Sequence, residues 1–146
     1  MLHVEKRIVI ERPVEEVFAF VTDISQMPRW AVGIDDARQT SPGPVGVGTT
    51  AVQTVELLGQ HLRLTCEVKE YDPPHTYVLA TRMGPFPFVG RSSLRPLDGG
   101  TELISTTDGQ PRGLFSLMEP ILRGTVAKQT EVSLGRLKRL LESEPR

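Results

Sequence analysis

Between Leu2 and Glu11 apolar side chains fall at Leu2, Val4, Ile8 and Ile10, interrupted only by Lys6, with mostly charged residues between. A period of two predicts a half-buried strand. Pro13 then stands where a first helical position would be, and Glu15 and Glu16 suit the positive end of a helix dipole. Val14, Val17, Phe18 and Val21 repeat at steps of three and four, which predicts a short amphipathic helix running to about Asp23. Ser25-Gln26-Met27-Pro28-Arg29-Trp30 predicts a further helical turn or two, weakened by Pro28.

From Val32 to Gln110 the pattern changes to strands punctuated by Thr40-Ser41-Pro42-Gly43-Pro44, Leu58-Gly59-Gln60, Asp72-Pro73-Pro74-His75, Gly84-Pro85, Asp98-Gly99-Gly100 and Asp108-Gly109. Turn signals at this spacing predict an antiparallel meander, with Asp98-Gly99-Gly100 as a hairpin. Leu62, Leu64, Cys66 and Val68 alternate with His61, Arg63, Thr65, Glu67 and Lys69, fixing the buried face of one strand. The same parity turns Phe86, Phe88, Ser92 and Leu94 inward, opposite Arg91, Ser93 and Arg95.

Between Gly113 and Leu141 a stripe of Phe115, Met118, Leu122, Val126, Thr130, Leu134, Leu137 and Leu141 recurs at steps that only a helix aligns. Pro120 fits either as a first-turn residue after a short helical piece or as a kink within one helix. Strand, two short helices, several antiparallel strands and one long C-terminal helix make an α+β layout in which the helix covers the apolar face of the sheet. One helix cannot fill a strongly curved sheet, and gaps of this kind bind small apolar ligands.

Composition narrows the reading. The 146 residues include 13 Gly and 12 Pro, fitting one turn-rich domain over 1–146, and only eight aromatics (five Phe, two Tyr, one Trp), fitting a modest aliphatic core. Seventeen Lys and Arg against 18 Asp and Glu leave no electrostatic footprint for nucleic acid, the densest basic run being Arg136-Leu137-Lys138-Arg139. The longest wholly apolar stretch, Val17 to Val21, is far short of the ~20 residues a bilayer needs, so no stable membrane insertion is expected. One cysteine cannot form an internal disulfide, and the N-terminal residues lack a secretory apolar core; the expected location is the cytoplasm.

The run Ile8-Val9-Ile10-Glu11-Arg12-Pro13-Val14-Glu15-Glu16-Val17-Phe18, then Thr22-Asp23, Pro28-Arg29-Trp30, Val47-Gly48-Thr49 and the ending Leu137-Lys138-Arg139-Leu140-Leu141-Glu142 resemble the START-like (SRPBCC, Bet v 1-like) superfamily, within it the polyketide cyclase/dehydrase and lipid-transport group. The resemblance covers nearly the entire chain. It implies a helix-grip fold: a seven-stranded curved antiparallel sheet wrapped around a long C-terminal helix, two short helices after strand 1, and an internal hydrophobic cavity. Function transfers poorly across such a fold, because the superfamily includes lipid carriers, receptors and aromatase/cyclases.

Catalytic chemistry finds little purchase. His3, His61 and His75 are scattered without a metal-ligand spacing, so neither a metal nor another cofactor is expected. Cys66 falls on an inward face, where desolvation raises a thiol pKa and lowers its reactivity. Gly43-Pro44-Val45-Gly46-Val47-Gly48 matches no phosphate loop and leads into a strand, so it reads as a hairpin corner.

The inward polar residues carry more. Under the helix-grip reading, Gln53 or Thr54, Cys66, Thr81, Ser92, Thr106 or Thr107, and Gln129 or Thr130 face the cavity, bonded to backbone, water or ligand. Met27, Trp30, Leu64, Tyr77, Met83, Phe86, Phe88, Phe115, Met118, Leu122 and Val126 complete the expected ligand-binding set, with core packing as the alternative for each. Met83-Gly84-Pro85-Phe86-Pro87-Phe88 suits a stiff, exposed apolar lid.

The leading expectation is a carrier or sensor that encloses a small hydrophobic lipid-, polyketide- or aromatic-like molecule. The alternatives are an aromatase/cyclase-type polyketide cyclase or dehydratase working in the same cavity, and a protein-interaction module, including a homodimer. No catalytic residue is identifiable; Glu56, Glu102 and Arg82 are the ionisable positions most sensitive to strand register, and the enzyme reading needs one of them inside.

Overall fold

Alternation of period two becomes seven strands, and the periodic stripes become helices, in a computed structural model that describes residues 1–143. The last three residues of the expected 1–146 domain lie outside the described residues. In chain order the elements are β1 (Leu2–Ile10), α1 (Val14–Val21), a 3-10 turn (Ile24–Gln26), α2 (Met27–Trp30), β2 (Ile34–Gln39), β3 (Thr50–Leu57), β4 (Gln60–Asp72), β5 (Thr76–Met83), β6 (Phe88–Leu97), β7 (Gly100–Gly109), α3 (Leu114–Leu117) and α4 (Glu119–Ser143).

All strand pairs are antiparallel, in the order β1-β7-β6-β5-β4-β3-β2, so the first strand crosses over to pair with the last. Two hairpins fix the register. Leu58-Gly59 (φ 51° and 78°) joins β3 to β4, and Asp98-Gly99 (φ 44° and 85°) joins β6 to β7, both with the paired positive φ of a two-residue turn whose twist matches the strands. Register shifts between Ile34 and Asp36, Thr65 and Cys66, and Val68 and Glu70 insert extra residues, which bend a sheet more sharply.

Two prolines stand at helix starts for one reason. Pro28 opens α2 in its first turn, where a missing N–H is no loss, so it starts that helix rather than weakening it. Pro120 does the same in α4, after the single turn of α3. Helix α1 stops at Val21, short of Asp23: the Thr22 hydroxyl donates to the Phe18 carbonyl at 2.9 Å, and extended Asp23 caps the following 3-10 turn through the Ser25 N–H.

Helix α4 buries two separate stretches. Its C-terminal half puts Leu134, Leu137 and Leu141 against Val14, Val17, Phe18 and Val21 of α1 and against Ile10, Val68, Tyr77, Leu94 and Leu103 of the sheet. Its N-terminal half puts Leu122 and Val126 against Leu2, Val4, Leu57 and Phe86. Each fully buried leucine contributes roughly 1.5–3 kcal/mol of apolar transfer. Between these two cores α4 carries Gln129, Thr130 and Ser133, and there the interior is open.

Candidate functional site

The opening is a cavity of about 250 Å³. Its floor is the concave face of the sheet, through Gln53, Val55 and Leu57 of β3, Leu64 and Cys66 of β4, Leu79 and Thr81 of β5, and the ends of β6 and β7. Its roof is the Val126–Leu134 stretch of α4. One side is closed by Met27 and Trp30 of α2 and by the loop into β2, Ala31–Ile34.

Of the expected set, Met27, Trp30, Leu64, Cys66, Thr81, Phe88, Val126 and Thr130 surround this space. The register choices resolve to Gln53 rather than Thr54 and to Thr107 rather than Thr106, while both Gln129 and Thr130 line the wall. The others lie elsewhere. Tyr77 is in the α1 core and Leu122 in the Leu2 core, so both pack rather than line the cavity. Ser92 faces Ser105 in register, and only Ser105 reaches the cavity. Met118 is half-buried at the junction of α3 and α4, away from the space. Met83 has inward parity by counting along the chain, but the register shift beside Cys66 pairs it with Thr65 of β4, on the outer face, where it is 71% exposed.

The expected apolar lid is instead a plug. Phe86 is 2% exposed and its ring lies 4.3 Å from Phe88 and 5.1 Å from Phe115, centroid to centroid, which draws the Pro85–Pro87 segment down onto α3. Sequence reasoning missed Ala31, Val32, Ile34, Val55, Leu57, Leu79, Gly90, Ser105, Ser133 and Leu134 as lining residues. Strand parity could have supplied most of the sheet positions, and Ser133 follows Gln129 by one helical step; no local signal marks Val32.

Polar groups around the space divide by how well they are satisfied. Thr81 accepts from the Phe88 N–H at 2.9 Å, Thr130 donates to Val126 O at 2.8 Å, and Ser133 donates to Gln129 O at 2.6 Å. Gln53, by contrast, meets only sulfur: its Nε2 donates to Met27 Sδ at 3.3 Å, and Cys66 Sγ lies 3.9 Å from its Oε1. Trp30 Nε1 is buried with no partner among the described residues, as is the Tyr77 hydroxyl in the adjoining core.

Among the described residues, the only ionisable side chain around the cavity is Cys66, whose thiol burial pushes up to about 11. Burial also pushes the Tyr77 hydroxyl up, with smaller contributions from Cys66 and Tyr71. Glu56 and Arg82 are exposed, and Glu102 pairs with Arg95 at 2.7 Å; none of the three faces the cavity.

The loop that closes the cavity is fastened to α4. Val32 N–H donates to Ser133 Oγ at 2.8 Å, Glu56 N–H to Gly33 O at 2.6 Å, and Gln129 Nε2 to Glu56 O at 3.3 Å. Gly33 has φ +89°, and a Cβ there would stand 2.9 Å from Gln129 Nε2 and 3.1 Å from Glu56 O, so only glycine fits without displacement. Away from the cavity the Leu58-Gly59 hairpin sets Glu56 opposite His61, and Asp35 joins them: donor atoms of the three lie within 4.8 Å of one another, all on exposed residues. The sequence spacing had not suggested this grouping.

The sequence profile of the family described as polyketide cyclase/dehydrase and lipid transport matches residues 1–142. Among curated proteins, the uncharacterised Rv1546 of Mycobacterium tuberculosis is 24% identical over 127 residues, 86% of this chain and 89% of that one. Among solved structures, TTHA0849 from Thermus thermophilus superposes with a TM-score of 0.84 at 18% identity, covering 97% of this chain and 99% of that chain. The Zhui aromatase/cyclase from Streptomyces sp. R1128 gives 0.80 at 16% identity, with 97% and 96% covered. A START superfamily protein from Mycobacterium smegmatis gives 0.79 at 20% identity, with 94% and 98% covered. At these identities the likeness is one of fold, and it is the helix-grip expected from the sequence. No helix among the described residues is long and apolar enough to cross a membrane.

Proposed function

The chain belongs to the polyketide cyclase/dehydrase and lipid-transport family, and from that premise we propose that it binds a small, mostly apolar molecule in the cavity between α4 and the sheet, as a carrier or sensor. The observation that carries this is the open interior between two packed cores, walled by aliphatic side chains and a few polar ones. Its 250 Å³ exceeds the ~150 Å³ that suffices for a benzene-sized guest and falls below the ~300–1,000 Å³ of drug-sized pockets. A ligand of one or two fused rings, or a short acyl chain, fits; a two-chain lipid does not.

A cyclase or dehydratase is the second reading, favoured by the fold shared with the Zhui aromatase/cyclase. It needs an acid or base within hydrogen-bond reach of the reacting atoms and a pKa near the working pH. A neutral, buried Cys66 thiol is a poor candidate, so binding is the better-supported role.

Thermal shift with a panel of monocyclic and bicyclic aromatics, quinones and short-chain lipids tests the proposal. At a hundred times Kd a ligand stabilises by about 2.7 kcal/mol, a rise of several degrees in Tm for a chain this size. No shift with any class overturns it.

A further inference from the structure

We propose that the molecule held in this cavity is uncharged and presents a hydroxyl or carbonyl oxygen to the Gln53 amide and the Trp30 indole N–H. This rests on the reading of the cavity as a ligand site and adds the chemistry of the ligand's polar end.

Gln53 is 5% exposed, on the concave face of β3. A glutamine amide offers two donors and an oxygen with two lone pairs, yet its partners are two sulfurs, Met27 Sδ at 3.3 Å and Cys66 Sγ at 3.9 Å. Thioether sulfur is a weak acceptor and a thiol a weak donor. The amide therefore keeps most of its hydrogen-bonding capacity inside an apolar wall. Met27 and Trp30 are three residues apart on α2 and both line the same cavity, and the Trp30 Nε1 donor is buried and unpartnered among the described residues. The hydroxyls of Thr81, Thr130 and Ser133 are committed to backbone groups, whereas Gln53 and Trp30, together with the Ser105 and Thr107 hydroxyls of β7, keep hydrogen-bonding capacity beside the cavity.

A hydroxyl oxygen can accept from one of these N–H groups while its proton goes to Gln53 Oε1; a keto oxygen can accept from both. A carboxylate or phosphate is a different matter. Among the described residues no arginine, lysine or histidine lines the cavity, so an anion would be stripped of water with no counter-charge. The same holds for an ammonium, since no carboxylate lines it either.

Three probes of one shape test this: naphthalene, 2-naphthol and 2-naphthoate, titrated against the whole protein at about pH 7 by calorimetry. In a cavity with no partner for it, the hydroxyl's lost hydration makes 2-naphthol the weaker guest. With Gln53 and Trp30 as partners it binds about tenfold tighter than naphthalene, equivalent to about 1.4 kcal/mol, and 2-naphthoate binds at least tenfold weaker than 2-naphthol. Gln53→Leu, with Gln53→Met as the second variant should the first not fold, reverses the order of naphthol and naphthalene. Trp30→Phe, which keeps the ring and removes the N–H, narrows the ratio.

Equal or tighter binding of naphthalene by the unaltered protein overturns the inference while leaving the cavity as a ligand site, as does tight binding of 2-naphthoate. An unchanged naphthol-to-naphthalene ratio in both Gln53 variants also overturns it. Failure of all three probes to bind counts instead against the cavity as a site for aromatic guests.

Discussion

Gly33→Ala tests whether the loop closing the cavity is held to α4 by the contacts described. Two costs arise at this position. An alanine at φ +89° loses about 1–2 kcal/mol against glycine, because its Cβ crowds the following carbonyl. The Cβ also stands 2.9 Å from Gln129 Nε2 and 3.1 Å from Glu56 O. The flexible Gln129 side chain must swing away and give up its bond to Glu56 O, a further loss of about 1 kcal/mol. The sum is roughly 2–3 kcal/mol.

Gly43 provides the control. It has nearly the same φ, +88°, but a Cβ there meets nothing within 4 Å, so Gly43→Ala carries only the conformational cost of about 1–2 kcal/mol. Urea denaturation of both variants at an unchanged m-value gives the difference directly. Gly33→Ala is expected to be the less stable by about 1 kcal/mol, which corresponds to about 4 °C in Tm. Equal destabilisation of the two would refute the idea that the Gln129–Glu56–Gly33 contact fastens the loop.

Leu122→Ala removes a fully buried side chain from the core behind the cavity and is expected to cost about 2–5 kcal/mol in chemical denaturation; a loss below about 1 kcal/mol would mean the site collapses freely. The Cys66 thiol, raised by burial from 9.0 to about 11, should resist alkylation at about pH 8 in the folded protein and react once urea unfolds it, since roughly one folded thiol in a thousand is ionised there. The same shift makes its stabilising contribution complete below pH 9 and lost as pH rises through about 11, by at most about 3 kcal/mol; Cys66→Ala should flatten stability over that window, and an unchanged slope would contradict it. Glu142 is held below its usual pKa by the Lys138 ammonium at 2.7 Å and the Glu11 N–H, so Glu142→Gln should cost less than about 1 kcal/mol at pH 7. That difference should vanish as pH falls through the carboxyl's lowered pKa, and persistence of the full loss in strong acid would exclude a charge effect.

Periodicity and turn chemistry act over a few residues, and what depends on them is legible in the chain alone. The alternation of Leu62, Leu64, Cys66 and Val68 sets their strand's inner face, Asp98-Gly99 sets a hairpin, and the stripe from Leu122 to Leu141 sets the long helix. Half of the expected cavity residues follow from that, because parity states which side a residue takes. It does not state what covers that side. Tyr77 and Leu122 have the inward orientation, yet α1 covers the first and the N-terminal core encloses the second, while a register shift beside Cys66 turns Met83 to the outer face with Thr65. Phe86 reads locally both as inward by parity and as part of an exposed lid between two prolines, and contacts with Phe88 and Phe115 decide for burial. The contacts that define the mouth, Val32 to Ser133 and Gln129 to Glu56, join residues 101 and 73 positions apart. Asp35, Glu56 and His61 likewise meet only through strand register. The sequence by itself determined the elements and the family; the tertiary structure alone decided the register of the polar positions and which inward residues border empty space, since a cavity is bounded by segments whose separation along the chain no local pattern encodes.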